Sequence, residues 1–217
     1  MRSVVLVTVA FVVTGCGRLN FDPLGRSSGG DDAGNDAGDD AREFADGPGS
    51  GGTFTYTATI AECIDPTAPD PAFCRTTNGQ TELPVDLDDS NLHVPFYSYL
   101  RFDFDASIAG KEVAAVVLRA VISDGAQSDG PDSGEIWRVS TFTLASLSTQ
   151  APTQQGGAAL AASQGPVVQL QEVDWLLPTT VIDSSSLCLG MIPVSAAGVN
   201  YWNLQGATPP TLRVELR

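Results

Sequence analysis

Alternating apolar and charged residues predict a strand over 98–105, SYLRFDFD. Leu100, Phe102 and Phe104 are apolar and the residues between them are charged, which is the period-two pattern of a half-buried strand. After a turn, residues 113–122 are apolar at almost every position. A strand that is apolar on both sides belongs in a sheet that is covered on both faces. The two strands are therefore predicted to form the core of an all-β domain.

The same patterns recur along the rest of the chain. Residues 53–60 are β-branched, aromatic and alternating, and 212–216 alternate between apolar and charged residues. Short apolar runs at 136–139, 167–170 and 187–192 are predicted to form strands. The secondary structure of 173–182 is ambiguous, and a short helical turn is suggested there. Residues 200–206 are predicted to form a loop. About eight to ten short strands favour a single antiparallel β-sandwich or jelly roll over 53–217.

The N-terminus has the pattern of an export signal. A ten-residue apolar run at 4–13, about half the length of a membrane-spanning helix, leads into Val13-Thr14-Gly15-Cys16. This motif resembles the bacterial lipobox, which implies a signal peptide over 1–15 and a diacylglycerol on Cys16. Gly17 favours sorting to the outer membrane, so the expected location is the bacterial cell envelope. An ordinary secretory signal with a chance cysteine is the alternative.

Residues 16–52 are predicted to form a disordered, acidic tether. The stretch 27–52 is rich in Asp and Gly, and Phe44 is its only large apolar residue. Such a segment cannot bury enough apolar surface to fold. A flexible coil of this length spans roughly 30–35 Å, which lifts a domain clear of the membrane to which Cys16 would anchor it.

The net charge of −15 excludes several partners. An acidic protein without a cluster of basic residues repels nucleic acid, anionic polysaccharides and anionic lipid surfaces. We therefore expect no nucleic-acid partner, and a membrane contact only through the lipid anchor.

Three cysteines remain beside Cys16. Cys63 and Cys74 bracket a Pro-rich loop, and closing a loop of this length stabilises a fold by roughly 3 kcal/mol in the chain-entropy model. We favour the pair Cys63–Cys74 with Cys188 buried and free. Pairing of Cys63 or Cys74 with Cys188 is the alternative, because sequence alone does not fix connectivity. No paired CxxC spacing accompanies the single histidine, His93, which argues against zinc.

Carboxylates cluster in the segment that follows. Asp86, Asp88 and Asp89 lie within four residues, and oxygen ligands at such spacing could coordinate Ca²⁺. A solvated turn is the favoured interpretation, so no cofactor is expected.

Aromatic residues beside amides give the candidate ligand site. Tyr201, Trp202 and Asn203 lie in the predicted loop, and Tyr97 and Tyr99 lie at the start of the first strong strand. Aromatic faces stack on the C–H surfaces of sugars, and nearby amides satisfy the hydroxyls. The alternative is that these rings fill the core.

Three stretches of the chain resemble those of a known family. The stretch SYLRFDFD, the apolar strand VAAVVLRAVI and the late LCLGMIPVSAAGVNYWNLQGATPPTLRVEL are similar to those of DNRLRE domain proteins. The resemblance covers most of 53–217. It implies a β-sandwich module of the kind found in bacterial secreted and surface proteins, several of which resemble carbohydrate-binding modules.

Three functions are weighed. A non-catalytic, envelope-anchored module that binds a neutral carbohydrate is the prediction. A structural or adhesive lipoprotein with an unidentified protein partner is the first alternative. The second is a glycan-degrading enzyme that uses Asp103 and Asp105, since residues i and i+2 on a strand lie about 7 Å apart, within the range of an inverting pair. A Ser-His-Asp catalytic triad would have to use His93, and no Gly-x-Ser-x-Gly nucleophile motif lies near it.

Overall fold

The computed structural model describes residues 51–88 and 92–217. The predicted signal peptide, the predicted lipidation site Cys16 and the predicted tether up to residue 50 lie outside this part. The strands are β1 Thr53–Thr57, β2 Ile60–Ile64, β3 Glu82–Val85, β4 Tyr97–Asp103, β5 Val113–Val121, β6 Glu135–Arg138, β7 Glu172–Leu177, β8 Ser186–Ile192, β9 Val199–Trp202 and β10 Thr211–Leu216. The α-helices are α1 Pro71–Asn78 and α2 Leu144–Leu147, and short 3₁₀ helices span Ala106–Ile108 and Thr179–Val181.

The strands form an all-β sandwich, as the sequence predicted. One four-stranded sheet has the order β1-β10-β5-β7 and the other has the order β2-β4-β8-β6, and every strand pair is antiparallel. Their inner faces share one core, to which Leu100, Leu118, Leu189 and Leu212 contribute. A third element, the two-stranded ribbon β3–β9, adds Tyr201 to the same core.

The two strong strands of the sequence pattern face each other across the core. β4 belongs to one sheet and β5 to the other, joined by a connection that contains the 3₁₀ helix Ala106–Ile108. The expectation that β5 is covered on both faces is wrong, because Arg119 is exposed and Val117 only half-buried. Coverage on both faces occurs instead in the β4/β8 sheet, whose outer side packs against Phe142 and Leu147.

Several predicted boundaries also differ. The ambiguous stretch holds most of β7, in which Val173, Trp175 and Leu177 point inward and alternate with exposed residues, and it then forms the suggested short helical turn at Thr179–Val181. The predicted strand at 167–170 reduces to a single bridge between Val167 and Gly130, and Leu170 has a left-handed φ of 63° that ends any extended run. The predicted loop at 200–206 begins as β9.

Helix α1 begins in the Pro-rich loop between the two cysteines and continues past Cys74 to Asn78. Asp70 caps it by accepting a hydrogen bond from the Ala72 amide at 2.9 Å, and Pro71 fills the first turn, where no amide donor is needed. A disulfide joins Cys63 on β2 to Cys74 on the helix, while Cys188 is free and buried. This is the pairing that the sequence favoured. Among the described residues no helix has the length and apolar character needed to cross a membrane.

Candidate functional site

Three of the five residues predicted to bind a ligand are buried. Tyr99, Tyr201 and Asn203 have at most 2% of their surface exposed, so their faces are closed to any ligand. Asn203 instead holds the segment that precedes β3. Its side-chain Nδ2 donates to the Gln80 carbonyl at 2.9 Å, and its backbone N–H donates to the Thr81 carbonyl at 2.9 Å. The structure therefore removes these three residues from the candidate site.

Tyr201 is buried because β9 is a strand and not a loop. Alternation along β9 turns Val199 and Tyr201 inward. The ring packs against Trp175 with the centroids 5.9 Å apart, and the hydroxyl donates to the Ser133 carbonyl at 2.9 Å. Burial raises the pKa of Tyr201 well above its ordinary value.

Replacing Tyr201 with phenylalanine tests this assignment. We expect the free energy of unfolding to fall by about 1–2 kcal/mol, because the buried Ser133 carbonyl loses its donor while the ring packing remains. Urea denaturation measures the change. Ligand binding should be unaffected, and a variant of unchanged stability that loses binding would return Tyr201 to the site.

Trp202 and Tyr97 are half-buried. Trp202 lies on the outer side of the β3–β9 ribbon, directly across from Glu82. The backbone of Gly206 lies on the indole, since a Cβ at Gly206 would be 2.6 Å from Cε3 of Trp202. Tyr97 packs at the margin of the small cluster around Tyr99. Trp202 therefore lies on the same face of the ribbon as Glu82, which lines a concave polar surface, although Trp202 itself is not among the lining residues.

That surface is a cleft of about 450 Å³, here called the polar cleft. It lies where the end of α1, the β3–β9 ribbon and the loops around residues 127 and 197 meet. Carboxylates and amides dominate its lining, and none of the described residues that line it is basic. The polar side chains that define it are Asn78, Glu82, Asp86, Gln127, Asp129 and Asn200.

The β3–β9 ribbon positions two of these groups. Glu82 pairs with Trp202 and Pro84 pairs with Asn200, so Glu82 and Asn200 project from the face opposite the core. Asp86 follows β3 and packs closely against Gly198, where an added Cβ would lie 2.4 Å from the Asp86 Cβ. A glycine at 198 is therefore required for the wall of the cleft to close at this point.

A buried pair of serines holds Glu82. The Ser123 hydroxyl donates to Glu82 Oε1 at 2.7 Å and lies 2.5 Å from the Ser128 hydroxyl, and both serines are fully buried. Burial raises the pKa of Glu82, the hydrogen bond from Ser123 opposes that rise, and the nearby Asp124 carboxylate adds to it. The loop after β5 therefore keeps a partly desolvated carboxylate in one orientation at the cleft.

The raised pKa of Glu82 gives a pH-dependent prediction. The folded chain holds the Glu82 proton more tightly than the unfolded chain, so this group favours folding at low pH, and that contribution is lost as pH rises through its folded pKa. Glu82→Gln keeps the acceptor for Ser123 without the charge. We expect the variant to be more stable than wild type at about pH 7 and equal to it at about pH 3.5, below the ordinary glutamate pKa.

Urea denaturation at both pH values measures this difference, with Asp174→Asn as a control of opposite sign. A hydrogen bond from Arg119 lowers the pKa of Asp174, so that carboxylate adds stability at neutral pH, and the contribution is lost as pH falls through its folded pKa. A Glu82→Gln variant that is less stable than wild type at about pH 7 would contradict the prediction.

The proposed calcium ligands are only partly within the described residues. Asp86 lies at the polar cleft, Asp88 is exposed and 3.2 Å from the His93 ring nitrogen, and Asp89 lies outside the described part. Within 51–88 and 92–217, no three acidic, histidine or cysteine side chains converge in a way that could hold a metal ion.

The two aspartates of the enzyme alternative are engaged locally. Asp103 is ion-paired with Arg101 at 2.8 Å and accepts a hydrogen bond from Thr59 at 2.7 Å. Asp105 caps the 3₁₀ helix by accepting from the Ser107 amide at 2.8 Å. Neither aspartate lines the polar cleft, and both are held by partners on the same part of the chain or next to the neighbouring strand.

Comparison with known proteins assigns no family. No family model matches the chain, and no curated protein matches it. The function is therefore inferred from the geometry of the polar cleft. Sequence reasoning missed Glu82, Asn78 and Asp129, although the run of acids and amides over 124–129, DGAQSD, was a signal that a polar surface lay nearby.

Proposed function

We propose that this protein is a non-catalytic binding module of the bacterial cell envelope and that its polar cleft binds a neutral carbohydrate. The observation that carries the proposal is the convergence of carboxylates and amides in a cleft of about 450 Å³ whose lining, within the described part of the chain, contains no basic residue. Carboxylates accept hydrogen bonds from sugar hydroxyls, and the amides of Asn78, Gln127 and Asn200 both donate and accept. The volume lies within the range of small-molecule sites.

The charge of the cleft selects against acidic sugars. A uronate or a sulfated sugar would be repelled by the carboxylates of Glu82, Asp86 and Asp129. A neutral hexose carries no charge to be repelled, and its hydroxyls can form hydrogen bonds with these groups. Trp202, directly across the ribbon from Glu82, offers an aromatic edge beside the cleft for the apolar side of a sugar ring.

The envelope location is part of the same proposal. The lipobox-like motif before Cys16 and the tether that follows would hold the domain away from a membrane, and the Cys63–Cys74 disulfide is typical of an oxidising compartment. The resemblance to DNRLRE domain proteins stays a prediction. Mass spectrometry of the mature protein from a bacterial membrane fraction tests the anchor, since Cys16→Ser should abolish the acyl mass.

A glycan array and polysaccharide pull-down on the full chain test the binding site. We expect binding to neutral glycans and none to uronate-rich or sulfated ones. Asn200→Ala should weaken binding by about tenfold through the lost side-chain hydrogen bonds, with little change in melting temperature. Trp202→Ala should weaken it by a smaller factor. Unchanged binding by Asn200→Ala would place the sugar elsewhere.

A matched pair of glycine variants tests the orientation of Glu82. A Cβ at Gly125 would overlap the Glu82 carboxylate and displace it from Ser123, whereas a Cβ at Gly157 would meet no atom within 4 Å. Gly125→Ala should therefore weaken glycan binding, and Gly157→Ala should leave it unchanged. Equal affinities of the two variants would show that Glu82 does not contact the ligand.

Glycan hydrolysis is a second candidate function. Burial raises the pKa of Glu82, which is the property of a general acid, and Asp86 and Asp129 line the same cleft. Incubating the protein with each glycan that it binds, and measuring new reducing ends, separates the two functions. Release that is lost in Glu82→Gln would show an enzyme. Absence of any glycan binding would favour the alternative of a structural or adhesive lipoprotein with a protein partner.

A further inference from the structure

One basic side chain in the described part of the chain has no ion pair. Each described arginine lies 2.5–2.8 Å from a carboxylate, whereas Lys111 contacts none. The arginine pairs are Arg75–Glu62, Arg101–Asp103, Arg119 with Glu172 and Asp174, Arg138–Asp183, Arg213–Glu215 and Arg217–Glu112. In a chain of net charge −15, a cation without a carboxylate partner among the described residues is unusual.

Lys111 lines a groove of about 520 Å³, here called the end groove, which is separate from the polar cleft. One wall is the connection from β4 to β5, and the other is the segment 182–185 that leads into β8. Phe104, Ile108 and Ile182 line it, and all three also pack against the main core. The end groove is therefore a pocket with apolar walls and one cation.

The two carboxylates at the end groove have different partners, one cationic and one neutral. Asp183 receives two hydrogen bonds from the Arg138 guanidinium, at 2.8 and 2.7 Å, which neutralise its charge. Asp105 accepts from the amide and the hydroxyl of Ser107 and, more weakly, from the Tyr56 hydroxyl at 3.5 Å. Charges farther away on the acidic domain are screened beyond about 8 Å at physiological ionic strength. The neutral donors leave Asp105 its charge, and Lys111 is the one described cation at this groove that is not already paired and can bind an external anion.

From this arrangement we infer a second ligand site, in which the end groove takes the apolar body of a monocarboxylate and Lys111 pairs with its carboxylate. The ligand class is a medium-chain fatty acid or a similar amphiphile. A single cation beside Asp105 and Asp183 balances one negative charge but not two, so a dianionic phosphate head is disfavoured. The inference does not depend on carbohydrate binding at the polar cleft.

The apolar walls make the length of the ligand a second criterion. Each methylene that the groove buries tightens binding by about fourfold, up to the length at which the groove is filled. Affinity should therefore rise steeply from hexanoate to decanoate and then level off. A ligand held by charge alone would show no such dependence on length.

A site-specific probe is available because Lys111 is the only lysine in the chain. Reductive methylation with ¹³C-formaldehyde labels its side chain and keeps the positive charge. Titrating the full chain with decanoate should shift the Lys111 methyl resonance in a saturable way. Decanol and decyl phosphate should bind about tenfold or more weakly, the first because it lacks the charge and the second because it carries too much.

Calorimetry on variants completes the test. Lys111→Gln should weaken decanoate binding by about tenfold, while Lys111→Arg, which keeps the charge, should stay within about threefold of wild type. Arg213→Gln, an equal loss of charge on the outer face of β10, should have no effect. The proposal is overturned if the Lys111 resonance does not move, if Lys111→Gln binds as wild type does, or if decanol binds as tightly as decanoate.

Discussion

Replacing Trp175 with alanine is expected to lower the free energy of unfolding by about 3–5 kcal/mol, because a large and fully buried side chain is lost. Trp175 is 0% exposed at the centre of β7 and packs against Tyr201, which belongs to the β3–β9 ribbon. Alanine would leave a cavity between the sheet and the ribbon that backbone strands cannot close. Urea denaturation monitored by circular dichroism measures the loss.

The neighbouring residue provides the matched control. Leu176 is 69% exposed on the opposite face of the same strand, so Leu176→Ala should change stability by less than about 0.5 kcal/mol. Trp175→Phe is informative as well, because the indole Nε1 has no hydrogen-bond partner among the described residues. Removing an unpaired buried donor offsets part of the lost packing, so phenylalanine should cost less than half as much as alanine. Equal losses for Trp175→Ala and Leu176→Ala would contradict the assignment of faces along β7.

Removing the disulfide is expected to have the second largest effect. The double variant Cys63→Ser/Cys74→Ser should lose about 2–5 kcal/mol, because the unfolded chain gains freedom and α1 loses its tie to β2. A helix of eight residues is too short to persist without such support. Asn78, at the end of this helix, lines the polar cleft, so glycan binding should weaken together with stability.

Cys188 is the control for thiol chemistry. It is buried and free, so Cys188→Ala removes a sulfur without opening a disulfide and should cost only about 1 kcal/mol. A reductant should lower the melting temperature of the wild type. The decrease should match the difference in melting temperature between Cys188→Ala and Cys63→Ser/Cys74→Ser. A reductant that leaves the melting temperature unchanged would show that the Cys63–Cys74 bond does not contribute to stability.

The sequence indicated the aromatic residues near the polar cleft only in part. Trp202 was identified from its aromatic and amide neighbours, and it pairs across the ribbon with Glu82, which lines the polar cleft, without lining the cleft itself. Tyr201 and Asn203, its neighbours in sequence, were assigned to the same surface but are buried, because a strand sends successive side chains to opposite faces. Treating 200–206 as a loop concealed that alternation. A four-residue strand of polar and aromatic residues carries too little apolar periodicity to be separated from a loop.

The sequence by itself determined the all-β class and the strong strands. Alternation in β4 and β10 is a local property that places Leu100 and Phe102, or Leu212 and Val214, on one face whatever the rest of the chain does. The short spacing of Cys63 and Cys74 likewise favoured the disulfide that the structure contains.

Only the tertiary structure decided which sheet each strand joins and where the polar groups meet. Asn78, Glu82, Asp129 and Asn200 come from four separate segments, and non-local strand pairing brings them to one cleft. The isolation of Lys111 is likewise a property of the fold, since it depends on which carboxylates the arginines reach. Pairing between distant strands is governed by packing of the whole core, which no local pattern contains.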